Sequence, residues 1–293
     1  MGNYFCTKRD MYQIKTICVC GAGTMGTGIA QLSAMKGIST IQFDISAEML
    51  EKSRKGIEAN LNTLVNKHRI SLLEKEEIIS RIKFSSQIND CVADLVIEAI
   101  IEKKEAKQNL FNQLALINHP KTILASNTSS ISITEIAKTV TSPSRVIGMH
   151  FFNPAPIMKL VEIVRTENTE EEIIQTLVTL SEKMSKIPVV CNDSPGFIVN
   201  RVARSYYLEA MRLVEAGLAT VETVDIAMES AGFKMGPFRL MDLIGMDINF
   251  GVSQIVWKAL GEPDRLCPSL LQEQKVKQNE LGRKTGKGFY TYP

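Results

Sequence analysis

The sequence predicts an α/β protein, with a doubly wound, largely parallel sheet over residues 1–192 followed by an all-α C-terminal domain over residues 193–293. Three observations carry that prediction. Short β-rich runs alternate with longer helical patterns from about residue 14 to 192, and such alternation implies crossover units on a parallel sheet. A glycine-rich turn directly follows the first of these runs and opens a helical pattern. After Cys191 the alternation stops, and beyond the turn signal DSPG the pattern is helical.

Taken in order, IKTICVC, TIQFD, DLVIEAI, TILASN, RVIGMHF, KLVEIV and IPVVC read as strands. Helix starts between them are marked by Ser71 with Glu74, Ser132 with Glu135 and Thr169 with Glu172, the spacing at which a hydroxyl and a carboxylate cap one another's amides. His68 is expected on a polar helical face, and His119, before Pro120, in a loop. The second domain offers FIVNRVARSYYLEAMRLVEAG, TVETVDIAMESAG and a long apolar stretch reaching LGEPD, with Gly217, Gly232 and Gly261 placed as C-terminal caps. Arg239 in GPFRLMDLIG stands where a neutral or acidic residue is expected.

The chain's 293 residues are 44% hydrophobic and 23% charged, a globular rather than a disordered composition. A formal charge of +2 gives no electrostatic ground for a nucleic-acid or membrane partner. No run approaches the roughly 18 apolar residues of a membrane helix. The opening MGNYFCTKRDMYQ lacks the apolar stretch of a signal peptide, so a cytoplasmic location is expected. Cys6 stands where N-myristoylation requires Ser or Thr. The six cysteines, at 6, 18, 20, 91, 191 and 267, include no CxxC pair and are expected as free thiols, with no metal site.

The glycine-rich turn is GAGTMG, with Gly21, Gly23 and Gly26 in GxGxxG spacing around Thr24 and Met25. Gly21 permits the tight turn, Gly23 lets backbone approach a pyrophosphate, and Gly26 lets helix and strand pack closely, the signature of a Rossmann-type nucleotide site. Asp44 ends the second strand 18 residues beyond Gly26, where a carboxylate accepts hydrogen bonds from the adenosine ribose and repels a 2′-phosphate. With no Arg or Lys before Lys52, NAD is expected over NADP; FAD shares the fingerprint.

His150 ends the strand VIGMH, at the edge where open α/β sheets bind ligands, and is the best general acid or base in the chain. Glu162 interrupts the apolar run LVEIV on the face of Leu160 and Val164, and a carboxylate there needs a partner. A hydrogen bond to His150 would fix the imidazole tautomer and favour the imidazolium; a structural ion pair is the alternative. SNTSS at 126–130 and SPGFIVNR at 194–201 are further polar clusters that could line a cleft.

Together GAGTMG, VIEAIIEKKEAK, ASNTSS, GMHFFNPAPIMKLVEIV, DSPGFIVNR and GRKTGKGFYTY resemble the 3-hydroxyacyl-CoA dehydrogenase family, in particular its short-chain 3-hydroxybutyryl-CoA members, from about residue 14 to 293. The resemblance implies NAD-dependent oxidation of (S)-3-hydroxyacyl-CoA to 3-ketoacyl-CoA and the reverse, in fatty acid or butyrate metabolism. It makes His150 the base, Glu162 its orienting partner, and Ser129 and Asn200 hydrogen-bond donors to the substrate oxygen, with Ser129 preferred to Ser130. It assigns the nicotinamide side to Glu102, Lys107, Asn153 and Lys284, and counts Asn127 among the cofactor-binding residues. Taken alone, Lys107 reads as a solvated helical charge. The CoA side falls on Asn60 and Lys67; Asn60 departs from the family's Ser. A homodimer through the helical domain is implied, to which FRLMDLIGMDINFGVSQIVW would be suited, as it would be to a monomer's own core. Nothing resembles a hydratase domain, so a monofunctional enzyme is expected. The competing readings are a dehydrogenase of a free hydroxy or sugar acid and a nonenzymatic NAD-binding protein.

Overall fold

The computed structural model describes residues 13–293, and Cys6 lies outside them. The chain divides into two compact units, one ending at Asp193 and the other Ser194–Pro293.

The first unit begins with β1 (Thr16–Cys20), whose last four residues are buried, as a strand covered on both faces requires. It continues through α1 (Thr24–Met35), β2 (Ser39–Phe43), α2 (Ala47–Asn66), α3 (Leu72–Ser80), β3 (Ile82–Ser85) and β4 (Leu95–Glu98). There follow α4 (Lys104–Ile117), β5 (Ile123–Ser126), α5 (Ile133–Ala137), β6 (Val146–Phe151), β7 (Leu160–Arg165), α6 (Glu171–Lys183) and β8 (Ile187–Asn192). The eight strands form one sheet in the order β3-β2-β1-β4-β5-β6-β7-β8. All neighbours are parallel except β6 and β7. The order reverses beside β1, the topological switch point at which such sheets bind ligands outside their carboxyl ends. Ile17, Val19, Ile29, Leu95, Ile97, Ile123 and Ile147 build the main core between sheet and helices.

Three local expectations are corrected. The sheet contains β3, which the sequence reading passed over: IKFS is only four residues, carries exposed Lys83, and pairs with β2 alone as an outer strand. Ser71 and Glu74 do cap α3 reciprocally, and Ser132 caps α5. Thr169 caps nothing, because α6 starts after Glu170 and the Thr169 hydroxyl accepts from the Thr166 amide, closing the turn behind β7. His68 is not on a helical face. It follows α2 at φ 53°, where the Arg69 amide reaches back to the Leu64 carbonyl, so this histidine takes the left-handed position usually given to glycine.

The second unit contains α7 (Val199–Glu215), α8 (Val221–Ser230), α9 (Pro237–Ile244), α10 (Met246–Ala259) and α11 (Leu270–Lys277). Gly217, Gly232 and Gly261 follow helices with positive φ. The long apolar stretch is two helices, since Gly245 at φ 104° breaks it between α9 and α10. Its Phe238, Met241, Met246 and Val256 enter the unit's own core, whereas Leu243, Ile248 and Ile255 are exposed. Buried Asp242 accepts from the amides of Phe289 and Tyr290, fastening the terminal GFYTY segment to α9. Arg239 has its explanation here: it pairs with Glu229 at 2.8 Å and lies over the Tyr290 ring. No helix among the described residues is long and apolar enough to cross a membrane.

Candidate active site

The glycine turn leaves the end of β1 and becomes the first turn of α1, which no side chain caps. Its first amides therefore face the carboxyl edge of the sheet, a ready site for an anion. Two of the glycines are required by the fold itself. Gly21 has φ 112°, and a Cβ there would lie 2.4 Å from the Ala99 carbonyl oxygen; at Gly26 it would lie 1.9 Å from that of Gly21. At Gly23 a Cβ meets no protein atom within 4 Å, so the protein's packing does not demand this glycine and its backbone is open to close approach by an anion such as a pyrophosphate. Thr24 and Met25 form the first turn of α1 behind it. Asp44 stands beside the loop: its carboxylate accepts from the Ala22 amide at 2.7 Å and from the Ser46 amide at 2.9 Å. These groups fit an adenosine diphosphate carrying an unphosphorylated 2′-hydroxyl.

At the ends of β4 and β5 a buried ionic network replaces the solvated lysine expected on α4. Lys107 is 1% exposed, 2.6 Å from Glu98 and 3.0 Å from Glu102. Glu98 is itself fully buried and also accepts from the Ser126 hydroxyl and the Ile100 amide. Glu102 accepts from the hydroxyls of Thr128 and Ser130 and from the Ser129 amide at 3.3 Å. Burial alone would raise the Glu102 pKa, but the Lys107 ammonium and the hydroxyl donors outweigh it and hold the carboxyl below its ordinary value. A carboxyl so lowered adds stability above its unfolded pKa, and loses it as the pH falls through the folded value.

His150 and Glu162 face each other across the antiparallel pair β6 and β7. The imidazole Nδ1 is 2.7 Å from Glu162 Oε2, with His150 6% and Glu162 1% exposed. An ionised Glu162 accepts a hydrogen bond from Nδ1–H, which leaves Nε2 as the unprotonated, basic nitrogen. Phe152 packs on the imidazole at 4.5 Å between centroids. Asn127 Oδ1 accepts from the Phe151 amide, tying the end of β5 to the residue after the histidine. Asn153 is exposed on the loop that follows, and Ala155 and Pro156 of that loop press against Gly28 of α1.

The remaining candidates are on α2 and in the second unit. Asn60 and Lys67 are exposed on α2 and at its C-terminal end, and the Asn60 amide donates to Gln31 at 3.1 Å. The second unit carries Asn200 in the first turn of α7 and Lys284, whose ammonium bonds both carboxylate oxygens of Asp247. The sequence reading missed Glu98, although its acid in the apolar run LVIEAI carried the same signal as Glu162. It also missed Lys186, a buried ammonium that donates to the carbonyls of Ala155 and Met158 and fastens the loop after His150. Burial, with Lys36 nearby, lowers the Lys186 pKa.

A largely parallel sheet with its order reversed at β1, an uncapped glycine turn and an acid at the end of β2 define a Rossmann-type dinucleotide-binding protein. The chain belongs to the 3-hydroxyacyl-CoA dehydrogenase family, with the NAD binding domain matched over residues 16–194 and the C-terminal domain over 196–292. It is 46% identical to the 3-hydroxyadipyl-CoA dehydrogenase of Escherichia coli (strain K12), over 96% of this chain but only 60% of that relative's length. It is 42% identical to a probable 3-hydroxybutyryl-CoA dehydrogenase of Bacillus subtilis (strain 168), covering 96% of this chain and 98% of the relative. The fold superposes on the crystal structure of (S)-3-hydroxybutyryl-CoA dehydrogenase from Ralstonia eutropha with a TM-score of 0.92, at 36% identity over 96% of this chain and all of that one. NAD is the dinucleotide of the family's first domain.

Proposed function

We propose that the protein oxidises (S)-3-hydroxyacyl-CoA, preferably 3-hydroxybutyryl-CoA, to the 3-ketoacyl-CoA with NAD, and catalyses the reverse, in fatty acid or butyrate metabolism. The observation that carries this reading is the buried 2.7 Å pair of His150 and Glu162 at the carboxyl edge of the sheet that bears the glycine turn. Bound NAD supplies the hydride acceptor. His150 Nε2 takes the 3-hydroxyl proton, and the Glu162 carboxylate stabilises the resulting imidazolium. Ser129 and Asn200 donate to the substrate oxygen. The α1 amides at Thr24 and Met25 hold the pyrophosphate, Asp44 holds the ribose, Glu102, Lys107, Asn153 and Lys284 serve the nicotinamide side, and Asn127 also serves the cofactor. Asn60 and Lys67 take the adenosine phosphates of CoA. Residues 1–192 act as the NAD domain and 193–293 as the substrate and dimerisation domain of a homodimer, supported by the exposed Leu243, Ile248 and Ile255. Action in the cytoplasm accords with free thiols at Cys18, Cys20, Cys91, Cys191 and Cys267.

The 46% identical relative, named for 3-hydroxyadipyl-CoA, favours as a second reading an acyl chain that ends in a carboxylate. Following NADH absorbance with acetoacetyl-CoA, 3-oxoadipyl-CoA and free acetoacetate, with NADPH in parallel, separates these readings. Rapid NADH loss with acetoacetyl-CoA is expected. Loss with free acetoacetate alone would point to a free-acid dehydrogenase, and loss with none of the substrates to a nonenzymatic binding protein.

Two variants test individual roles. Asp44→Ala raises the KM for NADH by about ten- to a hundredfold, the worth of hydrogen bonds to a charged acceptor, and narrows the preference over NADPH. An unchanged KM would remove Asp44 from the cofactor site. Glu162→Gln keeps the fold, lowers turnover and moves its pH dependence, since the partner of the imidazolium loses its charge. An unaltered pH profile would leave Glu162 a structural acid.

A further inference from the structure

Three of the cysteines that the proposed reaction does not use come together inside the first unit. Cys18 and Cys20 alternate along β1 and so project from the same face of the sheet. The connection from β3 to β4 carries Cys91 onto that face, just after a short 3₁₀ turn at Ile88–Asp90. All three residues are fully buried. Cys18 Sγ and Cys20 Sγ are 3.8 Å apart, and the three sulfurs lie within 4.8 Å of one another.

That spacing matches a chemical requirement. Metal–thiolate bonds of about 2.3 Å around a three-coordinate ion separate the sulfurs by about 4.0 Å. Small side-chain rotations would close the triangle. Among the described residues the cluster contains no fourth His, Cys, Asp or Glu within reach. A tetrahedral Zn(II) site would lack its fourth protein ligand. Cu(I) is soft and takes thiolates at low coordination number.

We propose that Cys18, Cys20 and Cys91 form a three-sulfur binding site for a soft monovalent d10 ion, Cu(I). No electron moves on binding: the ion enters as Cu(I), Cu–S bonds form, and thiol protons leave to solvent, so binding tightens as the pH rises. Cys91 Sγ donates to the Gln87 carbonyl at 3.9 Å, a contact it would exchange for the ion. Cys91 is also the only one of the three outside a strand, and its neighbour Val92 is 54% exposed, so the cluster comes within one residue of the surface at this connection. A bound ion would clamp the connection to β1, whose last residue, Cys20, immediately precedes the glycine turn.

The test uses full-length protein with Cys6, Cys191 and Cys267 replaced by Ser, which leaves only the three cluster thiols. It is titrated anaerobically with Cu(I) against bicinchoninate as competing chelator, and a second sample also carries Cys91→Ala. One Cu(I) per chain, a thiolate-to-metal charge-transfer band, three sulfur neighbours by X-ray absorption and a raised thermal midpoint are expected. Cys91→Ala should retain NADH binding, which shows that it folds, and lose the band. Failure of the reduced three-thiol protein to compete for Cu(I), or equal binding by folded Cys91→Ala, would overturn the proposal. Neither result depends on which acyl-CoA, if any, the protein oxidises.

Discussion

Replacing His150 by Gln lowers turnover by about a hundred- to ten-thousandfold while NADH binding is kept. Gln is close to His in size, and its amide N–H can still donate to Glu162, so β6 and β7 keep their pairing and Glu162 is not left buried without a donor. What is lost is the ability to accept a proton at neutral pH. The interaction with Glu162 then has no imidazolium to stabilise, and hydride departure from the substrate carbon must proceed without a base to take the hydroxyl proton. The measurement is NADH oxidation with acetoacetyl-CoA beside NADH binding by fluorescence in the same preparation. Turnover near that of the unmodified protein would exclude His150 from the chemistry, however well placed it is.

Glu98→Leu should destabilise the protein by about 3–5 kcal/mol, the usual cost of removing one member of a buried ion pair. Lys107 would keep only the more exposed Glu102, while the Ser126 hydroxyl and the Ile100 amide would each lose their acceptor. The loss is read as a lower urea midpoint at unchanged slope. Adding Lys107→Met removes the stranded ammonium and should recover part of the stability, because apolar residues of similar volume often replace a buried pair at little cost. It should not recover NADH affinity if Lys107 also serves the cofactor. A loss below about 1 kcal/mol in the single variant would mean the pair adds no more than an exposed one.

Much of this site could be read before the structure was known, for reasons that differ from residue to residue. GAGTMG is legible because its glycines answer local constraints: Gly21 takes a positive φ and Gly26 closes on the Gly21 carbonyl. Glu162 was legible because a carboxylate in an apolar strand must be paired, and a histidine ended the neighbouring strand. Ser71 with Glu74 could be recognised from spacing alone. Thr169 with Glu172 shared that spacing and failed, since a hydroxyl can close a turn as readily as cap a helix. His68 escaped notice because nothing in its neighbours marks a left-handed residue that is not glycine.

By itself the sequence determined the alternation of strands and helices, the change to a helical second unit, the nucleotide turn and the need of Glu162 for a partner, because burial and local backbone geometry leave periodic or short-range signatures. Only the tertiary structure decided the rest. It made Lys107 a buried ion-pair partner rather than a solvated charge, added β3 as an outer strand, gave Arg239 its partners in Glu229 and Tyr290, and carried Cys91 to Cys18 and Cys20. Each of those outcomes depends on which strand pairs with which and where a connection crosses the sheet, and contacts between residues far apart in the chain leave no mark in the spacing of their neighbours.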